Sequence, residues 1–289
     1  MEAILQQIAN LSVIIYIVTT MLSMGLSFFP KQFVEPLKDK VLILKSLAAN
    51  FILVPLLTYL ILQVIPLEQG LAIGLVLMAT GAGSPFMLKL VQFTRADMAF
   101  AVGLMLILSL VTLIYLPLML SFLLPGVYIN HLSIAASLLV LIFLPLVCGT
   151  VIKARYSKIA QTLKSVFNKI SNLFIVVVVV IYLGLNYQDF LAVFGTGAMI
   201  AAVTFVLGSF LIGYMLGGPS EKTKTVLGLG TAIRNGSAAL VVAVANFSSE
   251  YNVMAMIVVV YLLGLIIMMM VSWVLGKRSK ISSDTSNGS

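Results

Sequence analysis

The chain has 289 residues, of which 61% are hydrophobic and 9% are charged. A soluble globular domain is about half apolar and about a quarter charged, so this composition excludes a soluble enzyme. The single histidine and single cysteine exclude most zinc sites and any disulfide framework. We therefore expect an all-α polytopic membrane protein without a metal or organic cofactor.

Seven apolar runs are long enough to cross a bilayer, which takes about 20 residues per helix. They cover residues 8–28, 41–65, 97–124, 132–152, 166–186, 192–217 and 252–275. Two further stretches, 70–93 and 223–247, reach the same length but contain glycine-rich polar sequence in mid-span. Broken helices are predicted at these interruptions, from Thr80 to Pro85 and from Thr231 to Ser237. Counting both broken helices gives nine spans.

The placement of the basic residues supports nine spans and argues against a nucleic-acid partner. Lys or Arg follows each odd-numbered span, whereas the loops at 66–70, 125–131, 186–189 and 248–250 carry neither. Cytoplasmic loops of membrane proteins collect basic residues. We therefore expect the N-terminus outside and the C-terminus in the cytoplasm, in a plasma membrane or a bacterial inner membrane.

The order of the spans predicts an inverted repeat. Residues 1–124 and 166–275 each hold two helices, a broken helix and a fourth helix. The two units start an odd number of spans apart, so the second is inverted relative to the first. Residues 125–165 then form a connector, made of the fifth span and an inner loop, and residues 276–289 form a cytoplasmic tail.

Matched breaks in two inverted halves predict a transporter's binding site. Free backbone groups at membrane depth need protein, water, ion or substrate as partners. A proline kink packed by neighbouring helices is the alternative for span 70–93. Ser109 and Thr112 share a helix face and either point at the crossing or bond to their own helix. The candidate binding residues are Ser84, Pro85, Ser109, Thr112, Thr231, Arg234, Asn235 and Ser237.

Three short motifs, Met24-Gly25-Leu26, Gly81-Ala82-Gly83-Ser84 and Arg234-Asn235-Gly236-Ser237, occur in order along the chain. In these motifs and their spacing the chain resembles the bile acid:sodium symporter family over nearly its whole length. The resemblance implies transport of an organic anion by alternating access. It also implies a core domain with two crossing broken helices, a separate panel domain, and the nine-span form of the fold.

The chain departs from that family's pattern at the sodium-site positions. The resemblance would place an asparagine at Pro85, a glutamate at Gly230 and a glutamine at Arg234. Losing a carboxylate and gaining a guanidinium removes the hard oxygen ligands that sodium needs. Sodium-independent transport is therefore expected, and Na+ is retained as the alternative coupling ion.

Arg234 lies near the predicted bilayer centre, where inserting an arginine costs roughly 2.5 to 3.5 kcal/mol. Two interpretations of its compensation remain open. The guanidinium replaces the missing sodium by donating to carbonyls freed by the helix break, or it holds the anionic group of the substrate.

A membrane-embedded enzyme is the main alternative from another class. No Asp or Glu lies in mid-span and no HExxH motif is present, so the chain is not expected to be an enzyme. A channel fits paired broken helices less well than a carrier does. The closest alternative is a sodium-independent efflux carrier of the auxin-efflux or arsenite-efflux type, which is similar in architecture. The expected partners are a small organic anion and the lipid bilayer.

Overall fold

The computed structural model describes residues 2–27, 39–123, 131–185, 195–247 and 250–286. These residues are helical and contain no strand, which confirms the all-α expectation. The basic residues Lys31 and Lys38, the loop 186–189 and most of the loops 125–131 and 248–250 lie outside the described residues. The α-helices are α1 (Glu2–Gly25), α2 (Lys40–Ala48), α3 (Val54–Val64), α4 (Gln69–Thr80), α5 (Phe86–Thr94), α6 (Met98–Leu123), α7 (His131–Leu138), α8 (Leu144–Arg155), α9 (Ser157–Leu185), α10 (Ala198–Leu216), α11 (Glu221–Ala232), α12 (Gly236–Asn246) and α13 (Tyr251–Ser286).

Seven helical stretches among the described residues are long and apolar enough to cross a membrane. They are Gln7–Gly25, Lys40–Val64, Met98–Leu120, Ile134–Arg155, Ala198–Leu216, Glu221–Asn246 and Tyr251–Lys277. The third and sixth predicted spans, which correspond to the α4/α5 pair and to α9, are not among these seven. The chain is thus a multi-pass membrane protein, and the count of nine spans stays a prediction.

Two spans contain a turn of π-helix just before a proline. The turn Ala49–Leu53 joins α2 to α3 ahead of Pro55, and the turn Leu139–Phe143 joins α7 to α8 ahead of Pro145. Proline has no N–H and its ring clashes with the carbonyl four residues earlier. The wider turns accommodate the proline without ending the helix, and they leave carbonyl groups free for other partners.

Both predicted helix breaks are present. The chain is non-helical at 81–85, between α4 and α5, and at 233–235, between α11 and α12. Gly83 has a φ of 81°, a left-handed conformation that glycine adopts without steric cost. The second break ends where the Asn235 side chain caps α12 by accepting a hydrogen bond from the N–H of Ala238 at 3.1 Å.

The helices pack in two groups. Helix α1 packs along α9 and α8, while α13 packs on α4 and α5 and α10 packs on α11. The most apolar stretch of Glu221–Asn246 is wholly buried, whereas the other candidate spans keep part of their surface exposed. Helices α11 and α12 are therefore enclosed by other helices, and the exposed apolar faces of the other spans are suited to lipid.

Two segments expected outside the spans are helical. Helix α9 begins at Ser157, so residues 157–165, which were expected to belong to an inner loop, are helical. Apolar side chains such as Ile159 and Leu163 recur at helical spacing there, next to Lys158 and Lys164, which is typical of an amphipathic helix. Helix α13 likewise continues to Ser286, into the segment expected to be a tail.

Candidate functional site

The two helix breaks contact each other through the backbone. The N–H of Asn235 donates to the carbonyl of Gly81 at 2.9 Å, and the Asn235 side-chain amide lies 3.5 Å from the carbonyl of Gly83. These groups would otherwise be unpaired inside the protein, where such a loss costs about 1–3 kcal/mol each. The two breaks therefore satisfy part of each other's backbone.

Helix α6 supports the first break with two hydroxyl groups. Thr112 Oγ1 accepts from the N–H of Ala82 at 3.0 Å and lies 3.1 Å from the carbonyl oxygen of the same residue. Ser109 Oγ lies 2.7 Å from the carbonyl oxygen of Gly83 and 2.8 Å from that of Met105 in its own helix. Both side chains face the break and hold its irregular backbone in place.

Arg234 is buried, with 1% of its surface exposed, and donates hydrogen bonds from all three of its nitrogen atoms. Its acceptors are the carbonyl of Met78 (3.1 Å from Nε), the side-chain oxygen of Asn50 (2.7 Å from Nη1), the carbonyl of Thr231 (3.2 Å from Nη1), the carbonyl of Asn50 (3.4 Å from Nη2) and the carbonyl of Ala79. A guanidinium group carries five N–H donors, so these five contacts use its full capacity.

The carbonyls around Arg234 come from two helix ends and one π-helical turn. Met78 and Ala79 lie in the last turn of α4, and Thr231 lies in the last turn of α11, where carbonyls have no partner within the helix. The negative ends of the two helix dipoles therefore converge on the guanidinium. The third source is Asn50, whose carbonyl belongs to the turn Ala49–Leu53.

Asn50 is a site residue that the sequence did not reveal. Its side chain accepts from Arg234 and donates to Thr231 Oγ1 at 3.2 Å, although 181 residues separate Asn50 from Thr231. The one signal in the sequence that could have identified Asn50 is that it is a polar residue within an apolar run.

We call the contact between the two helix breaks the crossing. A cavity of about 760 Å³ lies on the side of the crossing opposite Arg234. Its walls include Ser84 and Pro85, which precede α5, and Asn235 and Ser237, which flank the start of α12. Both helices thus begin at the cavity. Because a helix N-terminus carries partial positive charge and unpaired N–H groups, this end of the cavity suits an anion.

Helices α1, α9 and α13 supply further polar groups to the cavity. Tyr16 and Thr20 from α1 and Tyr261 from α13 line it, and the Tyr16 hydroxyl lies near the side chains of Ser237 and Tyr261. Sequence reasoning missed these residues. The signal was a polar stripe on α1, where Tyr16, Thr20 and Ser23 recur at helical spacing within an apolar span.

The eight candidate binding residues fall into two sets in the structure. The set that lines the cavity is Ser84, Pro85, Asn235 and Ser237. The set that lies behind it, within the helix crossing, is Ser109, Thr112, Thr231 and Arg234. The crossing brings all eight into one region, and the first set faces the cavity.

Comparison with known proteins gives one family. The model of the Sodium Bile acid symporter family matches residues 14–193, which is more than half of the chain. No curated protein sequence matches the chain. The matched region includes the first break and both residues of α6 that support it.

Proposed function

Because the chain belongs to the Sodium Bile acid symporter family, we propose that it is a secondary active carrier of a small organic anion that works by alternating access without sodium. Membership of this family makes it a membrane transport protein. The proposed substrate class and the proposed transport without sodium are argued from the residues of the site.

The cavity at the helix crossing supports an anionic substrate. Two helix N-termini open into it, and Lys89 and Lys164 are also among its lining residues. None of the described residues that line it is acidic. Its remaining walls are largely apolar, so a small molecule with a charged group and an apolar body fits this lining.

The contacts of Arg234 support transport without sodium. A sodium ion bound at the crossing would take carbonyl oxygens from helix ends and nearby side chains as ligands. Here the guanidinium already takes the carbonyls of Met78, Ala79 and Thr231 and the side-chain oxygen of Asn50. Its fixed charge neutralises the negative helix ends that would otherwise attract a cation. Of the two interpretations of Arg234, this favours the one in which it replaces the ion.

Nine crossings and an inverted repeat complete the proposal. The α4/α5 pair and α9 would be the two crossings beyond the seven long apolar stretches. The matched positions of Gly83-Ser84 and Gly236-Ser237 at the two breaks support the repeat. Alternating access would then move the α1, α8 and α9 group relative to the helices that hold the crossing.

Flux through proteoliposomes tests this function. The purified protein would be reconstituted and loaded with a panel of unlabelled organic anions, and uptake of each labelled anion would be followed. A carrier gives saturable uptake that an unlabelled internal anion accelerates. Unsaturable flux without this acceleration would indicate a channel, and conversion of an anion to a new product would indicate an enzyme.

A further inference from the structure

Two ammonium groups share the cavity although they come from different helix groups. Lys89 lies on α5 and Lys164 on α9, and both line the cavity. Lys89 is exposed, with Nζ 5.4 Å from the centroid of the Phe86 ring, and Lys164 is partly buried. Among the described residues, neither has a carboxylate partner.

The position of Lys89 follows from helix geometry. Pro85 and Lys89 are four residues apart and Gln92 follows three later, so all three lie on the face of α5 that borders the cavity. One helical turn rises about 5.4 Å. Lys89 therefore lies roughly one turn from the helix crossing.

Contacts between α1 and α9 indicate how far Lys164 lies from the crossing. Ser23 Oγ lies 3.5 Å from the carbonyl oxygen of Lys164 and donates to the side chain of Asn168 at 2.7 Å. Tyr16, seven residues before Ser23, contacts Ser237 at the crossing. Seven residues of helix rise about 10 Å, so the backbone of Lys164 lies about that far from the crossing along α1.

The cavity is thus positive at two levels. The N-termini of α5 and α12 supply partial charge at the crossing, and the two lysines supply full charge one to two turns away. Apolar side chains, among them Met24 and Leu88, also line the cavity. Two ammonium groups that face one cavity repel each other unless an anion lies between them.

We propose that Lys89 and Lys164 form a second anion subsite, so that the carrier prefers elongated substrates with two anionic groups about 5–10 Å apart. One group binds at the crossing and the other binds between the lysines. This inference rests on the proposed function, because it assigns the substrate class of the same cavity.

Binding of matched dianions and monoanions tests the subsite. The probes are α,ω-dicarboxylates of increasing length, from succinate to sebacate, each compared with its monomethyl ester, which removes one charge at nearly constant length. Affinity would be measured from ligand-dependent thermal shifts and from uptake into proteoliposomes. Loss of one charge-assisted contact corresponds to roughly a tenfold weaker affinity. A longer dicarboxylate should therefore bind about tenfold more tightly than its ester.

Three variants locate the effect. Lys89→Gln and Lys164→Gln should each remove the preference for the dicarboxylate, and Lys89→Arg should keep it because the positive charge is retained. Lys169→Gln is the matched control, since Lys169 lies on α9 but does not line the cavity. It should behave like the wild type.

The outcomes separate the two proposals. Equal binding of diacid and ester in the wild type, or an unchanged preference in both glutamine variants, overturns the subsite and leaves the carrier in place. Failure of every organic anion to bind or move overturns both. Phosphatidylcholine vesicles and vesicles with added phosphatidylglycerol give a further control. If the glutamine variants change activity only when the anionic lipid is present, the lysines bind lipid phosphate, and the subsite is refuted.

Discussion

Arg234 illustrates how one side chain can balance the charge at a helix crossing. Its burial alone does not indicate whether it binds a substrate, because a buried arginine needs acceptors in either case. The acceptors favour the proposed structural role: the five N–H donors are all used by protein acceptors, and Arg234 is not among the residues that line the cavity. A substrate would have to break one of these bonds to reach the guanidinium.

Substitution of Arg234 tests sodium independence. Uptake by the wild type should be equal in sodium and in choline buffer. Arg234→Gln removes the charge and most donors and should reduce uptake at least about tenfold, because several buried carbonyls lose their partners. Arg234→Lys keeps the charge but offers three donors and should be intermediate.

A surface variant and a stability measurement complete that experiment. Arg155→Gln changes an exposed arginine at the end of α8 and should leave uptake unchanged. Thermal unfolding of Arg234→Gln should occur at a lower temperature than that of the wild type. Strong stimulation of wild-type uptake by sodium would refute the ion-replacement idea, and full activity of Arg234→Gln would remove Arg234 from the mechanism.

The hydroxyl of Tyr16 links α1 to the substrate end of the crossing. Tyr16→Phe keeps the ring and removes the hydroxyl that lies near the side chains of Ser237 and Tyr261, so we expect severalfold slower uptake with little change in thermal stability. Tyr59→Phe is the control, because Tyr59 is exposed on α3 and does not line the cavity. Equal uptake rates in both variants would show that the Tyr16 hydroxyl is dispensable.

The residues of the site were only partly predictable. Ser84, Asn235 and Ser237 stand beside glycines and a proline in otherwise apolar runs, so the local sequence reveals them. Asn50 and Tyr16 act through partners 184 and 221 residues away, and their role depends on packing that no local pattern records. The unpaired hydroxyls of Ser209 and Ser272 are buried, and nothing in the described residues explains them.

At the scale of helices, the positions of glycine and proline explain which features the sequence predicts. Glycine and proline mark both breaks, and the observed interruptions at 81–85 and 233–235 overlap the predicted ones. The π-helical turns before Pro55 and Pro145 were not predicted, because a proline within a long apolar run gives no sign of which carbonyl will find a partner. The turn before Pro55 matters most, since it presents the carbonyl of Asn50 to Arg234.

Gly83 is the backbone position on which the first break depends most. Its φ of 81° disfavours any side chain, and an added Cβ would lie 2.7 Å from the carbonyl oxygen of Met105. Strain of this kind costs about 1–3 kcal/mol before the steric clash is counted. Gly83→Ala should therefore lower the unfolding temperature and abolish uptake.

Gly184→Ala provides the matched comparison for Gly83→Ala. Gly184 is helical, and an added Cβ would meet nothing within 4 Å. Alanine favours the helix by up to about 1 kcal/mol over glycine, so this variant should be at least as stable as the wild type. If both variants unfold at the wild-type temperature, the left-handed conformation at Gly83 is not required.

At the scale of the whole molecule, the helix ends that meet at the crossing differ in charge and in surroundings, depending on which side of it they lie. The C-terminal ends of α4 and α11 meet the fixed positive charge of Arg234, while the N-terminal ends of α5 and α12 face the cavity. One end of each broken helix is thus neutralised within the protein, and the other remains available to an anion. This division supports the proposal that the chain binds an anion without a coupling cation.

The predicted nine-span topology determines on which side of the membrane each chain end lies. A nine-span chain would have its N- and C-termini on opposite sides of the membrane, and the basic residues after odd-numbered spans predict a cytoplasmic C-terminus. Single cysteines at Glu2 and Ser289 would be introduced into a Cys148→Ser background, because Cys148 is the one cysteine of the sequence and its removal leaves a single thiol in each variant. In intact cells an impermeant maleimide should label the cysteine at position 2, and the cysteine at position 289 should react only after permeabilisation. Labelling of both ends from the same side would mean an even number of crossings, in which case either the α4/α5 pair or α9 does not span the bilayer.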